Sequence, residues 1–255
     1  MSMLSQSIRR ILTSTLLRKI VHLIFSLILL IPFTHFYRET AFKIWSSSPD
    51  PTLIFLTVLL FGAAILNSFQ IRLPNLREKF FKTSADIRKR IREGLEVNSR
   101  GKPYGELLEG FLTSIAKYEE KFLEFISMVE RDYELKYGYI CITFGLLSVT
   151  MSYVLFGDRV VYGVLALAVV DTVSSITTMY TRGRRKVIKH SDVSITIAFT
   201  IFTAIVYLFT WDILKSVIIS TVATITELVS PEDNLTLPIT TSLTAYVINA
   251  KVPVL

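Results

Sequence analysis

The chain has 255 residues, of which 51% are hydrophobic and 19% charged, and its formal net charge is +7 at pH 7. A mean hydropathy of +0.49 is higher than soluble globular domains usually show, so the composition predicts a membrane protein. In such a chain an excess of Lys and Arg indicates orientation in the membrane rather than nucleic-acid binding. The single cysteine, Cys141, excludes a disulfide framework.

Seven apolar segments approach the length of roughly 20 residues that a helix needs to cross a bilayer. They lie at residues 20–37, 51–71, 138–156, 160–180, 191–211, 213–229 and 235–250. Residues 1–19 are basic with intermittent apolar positions, which is typical of an interfacial helix. The predicted fold is therefore all-α, a polytopic helical membrane protein with about seven transmembrane helices.

Residues 72–136 differ from their surroundings, because they hold most of the acidic residues and about half of the basic ones. Apolar residues recur there at three- and four-residue spacing, which predicts two amphipathic helices joined by the turn NSRGKPYG. We interpret the segment as a cytoplasmic helical hairpin that packs on itself or on the membrane surface, in preference to a partner-binding module. The predicted domains are the interfacial helix at 1–19, transmembrane helices at 20–71, the hairpin at 72–136 and transmembrane helices carrying the catalytic motifs at 137–255.

Basic residues in short loops predict the orientation of the chain. They cluster before the first span and in TRGRRKVIKH, between the fourth and fifth spans. The N-terminus and this loop are therefore predicted to be cytoplasmic. With seven spans, the hairpin and the segment SPEDN also emerge on the cytoplasmic face, so several polar segments share one side of the membrane.

Ionisable residues inside the spans are costly and indicate function. Asp171 is the clearest case, and the Ser and Thr residues that follow it make that half of the helix polar enough to line a wet cavity. The structural alternative is an Asp held by hydroxyl groups or by a neighbouring Lys. Packing or snorkelling explains Glu227 at least as well as function does, and His22, at the mouth of the first span, is typical of an interfacial residue.

The segment SPEDNLTLP supplies further polar residues near the membrane. Pro231 and Pro238 bracket a predicted break between two helices, and such irregular backbone is tolerated at a membrane only where it lines a wet cavity. Asp233 and Asn234 lie within this break.

Acidic, amide and basic side chains together suggest phosphate chemistry. Carboxylates and amides provide hard oxygen ligands for Mg²⁺, and Lys or Arg neutralises phosphate. Phosphoryl transfer requires mainly this positioning and charge stabilisation. The sequence contains no Walker motif, kinase glycine loop or zinc-binding spacing. The residues alone therefore indicate a membrane enzyme that uses a phosphate compound. The side chains that would bind the metal and the phosphate are Asp171, Asp233, Asn234, Lys189, Arg184 and Arg185.

Four short motifs resemble a known family. They are RKIVH at the first span, an Asp within a later span followed by a basic loop, KHSDVS at 189–194 and EDNLTLP before the last helix. In this order they resemble the CTP-dependent lipid-alcohol kinases, which include dolichol kinase, phytol and geranylgeraniol kinases and CTP-dependent diacylglycerol kinase. Phosphatidate cytidylyltransferases are more distant relatives. The resemblance covers the first helix and roughly residues 131–255, and DNLTLP is its most specific part.

The resemblance implies a kinase that uses CTP and Mg²⁺ to phosphorylate a lipid alcohol in the bilayer. We favour an isoprenoid alcohol such as dolichol, and the alternative is a phytol, geranylgeraniol or diacylglycerol kinase of the same family. Either Asp171 or Asp192 would orient or deprotonate the hydroxyl group. The implied catalytic residues are Asp171, Lys189, Asp192 and Asp233. The implied metal ligands are Asp171, Asp233 and Asn234. The implied nucleotide-binding residues are Arg184, Arg185, Ser194, Asn234 and His22.

Three positions depart from the family pattern, since Val170, Thr178 and Val193 stand where the family has glycine. Glycine at such places permits close approach of the backbone to phosphate, which a β-branched residue does not. Either an altered loop binds the nucleotide through Gly183 and the arginines, or the protein has become a non-catalytic membrane scaffold. A cytidylyltransferase-like enzyme is a further alternative. The retained charged residues favour a working enzyme.

Overall fold

The computed structural model describes residues 2–44, 50–72, 76–98, 103–129, 134, 140–181 and 186–253. Its described helices are α1 (Ser2–Leu30), α2 (His35–Ile44), α3 (Pro51–Arg72), α4 (Leu76–Asn98), α5 (Pro103–Val129), α6 (Ile140–Phe156), α7 (Val160–Tyr180), α8 (Asp192–Thr210), α9 (Ile213–Val229) and α10 (Asp233–Val247). Strands β1 (Lys186–Val187) and β2 (His190–Ser191) pair antiparallel between α7 and α8. The all-α chain forms two compact units, residues 1–66 with 139–255 and residues 67–138.

Four helical segments among the described residues are long and apolar enough to cross a membrane: Ser14–Phe33, Pro51–Arg72, Ile140–Tyr180 and Asp192–Thr210. The third is divided into α6 and α7 by a short 3-10 turn, Gly157–Arg159, where Gly157 has a φ of +60°. These segments therefore correspond to five of the seven predicted spans. Helices α9 and α10 coincide with the last two but have only 17 and 15 residues, fewer than a usual span.

The N-terminal region differs from the prediction in its boundaries. Helix α1 continues without a break from Ser2 to Leu30, so the predicted interfacial segment at 1–19 and the start of the first predicted span form one helix. The first predicted span ends early, since Pro32 has no backbone N–H with which to continue the helix. Thr34 then accepts a hydrogen bond from the Tyr37 N–H at 3.3 Å, which begins α2.

Helix α7 is the centre of the larger unit, since α1, α6, α8, α9 and α10 all pack against it. One apolar core, built by α7 to α10, includes Tyr162, Phe202, Ile219 and Leu237. The Ser148 hydroxyl donates to the Leu235 carbonyl at 2.6 Å. This contact fixes the start of α10 against α6.

Large apolar side chains point outward from the membrane-length helices. Val58 and Phe61 on α3 are 63% and 66% exposed, and Val154 on α6 is 60% exposed. Such apolar faces are unfavourable in water but suit lipid. Their position on these helices supports a helical membrane protein.

A polar network ties together segments far from each other in the sequence. Both terminal nitrogens of Arg38 on α2 donate to the two carboxylate oxygens of Asp158, in the turn between α6 and α7. From the same turn, Arg159 donates to Asn249 Oδ1 at 2.7 Å and to the Ala250 carbonyl at 3.2 Å. This turn therefore anchors both α2 and the segment after α10.

Helices α4 and α5 form the second unit. Leu112 is 4% exposed, and Arg88 on α4 pairs with Glu119 on α5. Residues 99–102 of the predicted turn lie outside the described residues, and Pro103 to Gly105 already belong to α5. Pro103 suits this first helical position, where its missing N–H costs no helical hydrogen bond. After Val129, residues 130–133 and 135–136 of the predicted hairpin also lie outside the described residues.

Candidate functional site

Asp171 lies in α7 and is only 3% exposed. Lys19 of α1 places its Nζ 2.5 Å from Oδ1, and the Ser175 hydroxyl donates to the same oxygen at 3.5 Å. The Nε2 atom of His22 lies 3.2 Å from Oδ2, in an orientation that makes no hydrogen bond. Because Lys19 and His22 are three residues apart, they share one face of α1. The buried charge of Asp171 is therefore compensated by a neighbouring lysine, as the structural alternative expected, and a predicted site residue, His22, lies beside it.

Asp233 and Asn234 open α10 instead of lying in a break. The break comprises only residues 230–232, and Pro238 lies inside the helix. At that position a proline removes the hydrogen bond to the carbonyl four residues earlier, and its ring crowds that carbonyl. The Lys189 Nζ atom lies 3.5 Å from Asp233 Oδ2, and the buried Asn234 amide donates to Glu232 Oε1 at 3.1 Å. The structure thus brings the predicted pair Lys189 and Asp233 together.

Glu227, near the end of α9, is the third acid of this region. It is 2% exposed, and its Oε1 lies 3.1 Å from His190 Nε2. Its second oxygen, Oε2, is buried without a hydrogen-bond partner among the described residues. One oxygen from each of the carboxylates of Asp171, Glu227 and Asp233 lies within 4.8 Å of the other two. We call these three residues the acidic cluster.

His190 connects the acidic cluster to α7. Its Nδ1 lies 3.2 Å from the Thr178 hydroxyl, and its Nε2 contacts Glu227. Burial lowers the pKa of His190 below its ordinary value, although the Asp171 carboxylate acts in the opposite direction. Whichever partner carries the proton, the contact between Nε2 and the carboxyl group is a hydrogen bond, so the imidazole fixes Glu227 Oε1.

The segment KHSDVS, residues 189–194, passes through β2 into the first turn of α8, and only part of it faces the acidic cluster. Ser191 is the N-cap, and its hydroxyl accepts from the Ser194 N–H at 3.2 Å. Ser194 is buried, and its hydroxyl lies 2.8 Å from that of Thr178. Asp192 is exposed, accepts the Val193 N–H at 2.8 Å and is not part of the acidic cluster. Ser194 therefore supports the packing around the site, and Asp192 does not join the other acids.

Two of the three positions that depart from the family glycines have a clear packing role. Val170 is fully buried in the apolar core. The Thr178 hydroxyl donates to the Ser174 carbonyl at 2.6 Å and contacts His190 and Ser194. Arg184, Arg185 and Gly183 lie outside the described residues. The side chains at the two packed positions thus take part in the structure around the acidic cluster.

The donor chemistry of the acidic cluster fits a hard divalent cation. Carboxylate oxygens are the preferred ligands of Mg²⁺, and the buried Oε2 of Glu227 needs an electropositive partner. The described ion pairs join Asp171 to Lys19 and Asp233 to Lys189. Glu227 contacts a histidine instead of an ammonium group.

Sequence reasoning did not assign Lys19, His190 or Glu227 to the site. Lys19 is one of the basic residues before the first span, which predict the orientation of the chain, although it precedes His22 by only three positions. Glu227 carried a signal as an ionisable residue in an apolar segment. Its partner His190 lies 37 residues earlier, and no spacing rule joins them.

Comparisons with family models, curated proteins and solved structures find no match for this chain. The resemblance to the CTP-dependent lipid-alcohol kinases therefore depends on the short motifs and on the residues named above.

Proposed function

We propose that this chain is a CTP-dependent kinase that transfers the γ-phosphoryl group to the hydroxyl of a membrane lipid alcohol, an isoprenoid alcohol such as dolichol. The observation that carries the proposal is the meeting of four residues from separate segments. His22 and Asp171 lie side by side, Lys189 pairs with Asp233, and Asp171 and Asp233 belong to one acidic cluster. The resemblance had assigned all four to this chemistry.

The proposed topology has seven spans, α1, α3 and α6 to α10, with the N-terminus, the hairpin of α4 and α5 and the active-site loops in the cytoplasm. The acidic cluster lies beside the end of α9, the start of α10 and the strands that precede α8. In this topology the end of α9, the start of α10 and the two strands all lie at the cytoplasmic face of the membrane. A nucleotide from the cytoplasm and a lipid hydroxyl at the interface would both have access to them.

The donor set of the acidic cluster supports Mg²⁺ as the cofactor, held by Asp171 and Asp233 with Asn234 beside them. When bound, the ion would neutralise negative charge on the triphosphate of CTP. Lys189 would place a second positive charge at the transferring group, and Arg184 and Arg185 in the adjoining loop would bind the remaining phosphates. The choice of CTP comes from the resemblance alone.

For the lipid hydroxyl we propose Asp171 as the orienting carboxylate. Asp171 is buried among Lys19 and His22, whereas Asp192 is exposed and outside the acidic cluster. A carboxylate whose Oδ1 is held by Lys19 and Ser175 can use Oδ2 to hold a hydroxyl in line with the phosphoryl group. Asp192 has no such position, so we give it no part in the transfer.

The test is phosphoryl transfer from CTP labelled at the γ-position to a panel of lipid alcohols, with the full chain in nanodiscs. We expect a lipid monophosphate, and we expect Asp233→Asn to abolish it. The matched control is Asp212→Asn, because Asp212 is the N-cap of α9 and asparagine caps a helix equally well. Transfer that is unaffected by Asp233→Asn would refute the proposed site.

One observation favours a non-catalytic scaffold as the second candidate. Thr178 occupies a family glycine position and its side chain is packed among His190, Ser194 and the Ser174 carbonyl. A scaffold would bind no CTP with Mg²⁺ in isothermal calorimetry, whereas the kinase would. A cytidylyltransferase-like enzyme would instead leave CMP on the lipid and release pyrophosphate, so product analysis separates it from the kinase.

A further inference from the structure

We infer that Glu227 is a third carboxylate ligand of the divalent cation and that His190 is the positioning residue that holds it. The inference rests on the proposed function for the cation that Asp171 and Asp233 would share. The resemblance assigns neither Glu227 nor His190 to the site, so both assignments come from the geometry.

The first argument is the unequal state of the two carboxylate oxygens of Glu227. Oε1 has His190 Nε2 at 3.1 Å, whereas Oε2 is buried and has no hydrogen-bond partner among the described residues. A buried carboxylate oxygen without a donor is costly, and most buried polar atoms in folded proteins have a partner. A cation between the three acids would supply the missing partner of Oε2.

The second argument is charge. The described ion pairs give Asp171 the ammonium group of Lys19 and Asp233 that of Lys189, at 2.5 Å and 3.5 Å. Glu227 shares the acidic cluster, yet its described partner is the imidazole of His190 and not an ammonium group. Three carboxyl groups thus share two described ammonium groups. A divalent cation would supply a positive charge at the carboxyl group that has no described ammonium partner, and it uses the oxygen ligands that such ions prefer.

The third argument concerns the way His190 is held. Its ring lies between Glu227 and the hydroxyl of Thr178, and the side chain is 10% exposed. Thr178 is itself fixed by the Ser174 carbonyl and by Ser194. Groups that orient a metal ligand from behind in this way usually change metal affinity by about 10- to 100-fold when removed. His190 therefore fixes Oε1 and leaves Oε2 for the cation.

The competing interpretation is a hydrogen-bonded pair that only packs α9 against β2. Both interpretations need His190 and Glu227 for stability, so stability does not separate them. Affinity for the cation does, because a packing pair has no effect on it.

The experiment titrates Mn²⁺ into the full chain in detergent, without nucleotide or lipid, and follows free Mn²⁺ by electron paramagnetic resonance. We expect one site that Mg²⁺ competes for, and affinity at least about tenfold lower in Glu227→Gln. Asp212→Asn removes a carboxylate from the opposite end of α9, about 22 Å away along the helix, and should bind Mn²⁺ like the wild type. Size-exclusion profiles and circular dichroism verify that each variant is folded.

His190 is tested in the same titration. His190→Ala should lower Mn²⁺ affinity about tenfold, and His190→Gln, which keeps an N–H donor, should restore part of it. In the Glu227→Gln background His190→Ala should have no further effect, because its action passes through Glu227. Glu227→Asp, which keeps the charge but withdraws the oxygens, serves as a second variant and should also weaken binding.

Two results overturn the inference: no Mn²⁺ binding by the wild type, or wild-type affinity in folded Glu227→Gln or Glu227→Asp. Failure of the proposed function looks different. If the wild type binds Mn²⁺ through Glu227 but phosphorylates no lipid alcohol, the proposed function is wrong and the cation site is not. If the chain is a working kinase whose Mn²⁺ affinity does not depend on Glu227, only the assignment of Glu227 is wrong.

Discussion

Gly163 of α7 lies directly against the backbone of Pro238 in α10. A Cβ atom at position 163 would lie 2.4 Å from the Pro238 carbonyl oxygen and 2.9 Å from its Cα. Small residues allow such close backbone contact between helices in membranes. This contact fixes α10, which begins with Asp233, relative to the helix that carries Asp171.

We therefore expect Gly163→Ala to destabilise the larger unit by about 1–3 kcal/mol, since the backbone of α10 must move to admit the methyl group. The measurement is thermal unfolding in detergent, followed by the loss of the monodisperse size-exclusion peak. Gly62→Ala is the control, because a Cβ there meets nothing within 4 Å. Equal stability of the two variants would contradict the close contact.

The ion pair between Lys19 and Asp171 gives a second prediction. The two side chains are 14% and 4% exposed, so Lys19→Met leaves an almost buried carboxylate without its charge partner. We expect a loss of about 3 kcal/mol or more in unfolding free energy. Adding Asp171→Asn removes the isolated charge and should restore most of the stability. If Lys19→Met alone is as stable as the wild type, the ion pair contributes little to stability.

The network at the turn between α6 and α7 gives a third prediction. Asp158→Asn removes the charge that holds both terminal nitrogens of Arg38, and a charge-assisted contact of this kind contributes about 1.5–3 kcal/mol. We expect a lower melting temperature and unchanged Mn²⁺ affinity, because neither residue belongs to the acidic cluster. The double variant Arg38→Met with Asp158→Asn should lose less than the sum of the two single losses, with a remainder from the Arg38 Nε contact to the Pro32 carbonyl. Additive losses would mean that each residue acts through other partners.

The helical hairpin of α4 and α5 gives a prediction about pH. Partial burial raises the pKa of Glu119, but hydrogen bonds from Ser84 and Arg88 and the charge of Arg88 outweigh it, so the net pKa is lowered. A carboxyl group with a lowered folded-state pKa stabilises the fold above its unfolded-state pKa, and this contribution is lost as the pH falls through the folded-state pKa. The expected effect is about 1 kcal/mol or less.

Hydrogen exchange of residues 76–129, normalised at each pH to the rate of unstructured peptides, measures this effect. Protection should fall on acidification from near the unfolded-state value, about pH 4, to lower pH. Glu119→Gln should lose that part of the pH dependence. A variant with the same pH profile as the wild type would assign the change to other carboxylates.

The helical segments could be predicted from the sequence because hydropathy needs only local information. Their ends depended on details that composition does not contain. Pro32 ended the first span early, whereas Pro238 was accommodated inside α10 instead of ending a break. Whether a proline ends a helix or lies inside it therefore depends on its surroundings and not on its presence in the sequence alone.

Two of the three acids in the acidic cluster, Asp171 and Asp233, were among the predicted site residues, whereas Glu227 and the basic partners were not. Asp171 was conspicuous as a charge in an apolar segment, and Asp233 as part of a distinctive motif. Lys19, which neutralises Asp171, lies 152 residues earlier, and its basic neighbours suggested a topological role. Contacts over such separations depend on how α1, α7, α9 and α10 pack, which a single sequence does not reveal.

The separation between Lys19 and Asp171 also bears on biosynthesis. Lys19 is made long before Asp171, and Asp233 follows later still, so the three charges are available for pairing at different times. When α7 emerges, α1 is already present to neutralise its carboxylate, whereas α9 and α10 have not yet been made. The pairing of α1 with α7 thus lets Asp171, the one acidic residue of α7, enter the bundle with its counter-charge, before the other two acids of the cluster exist.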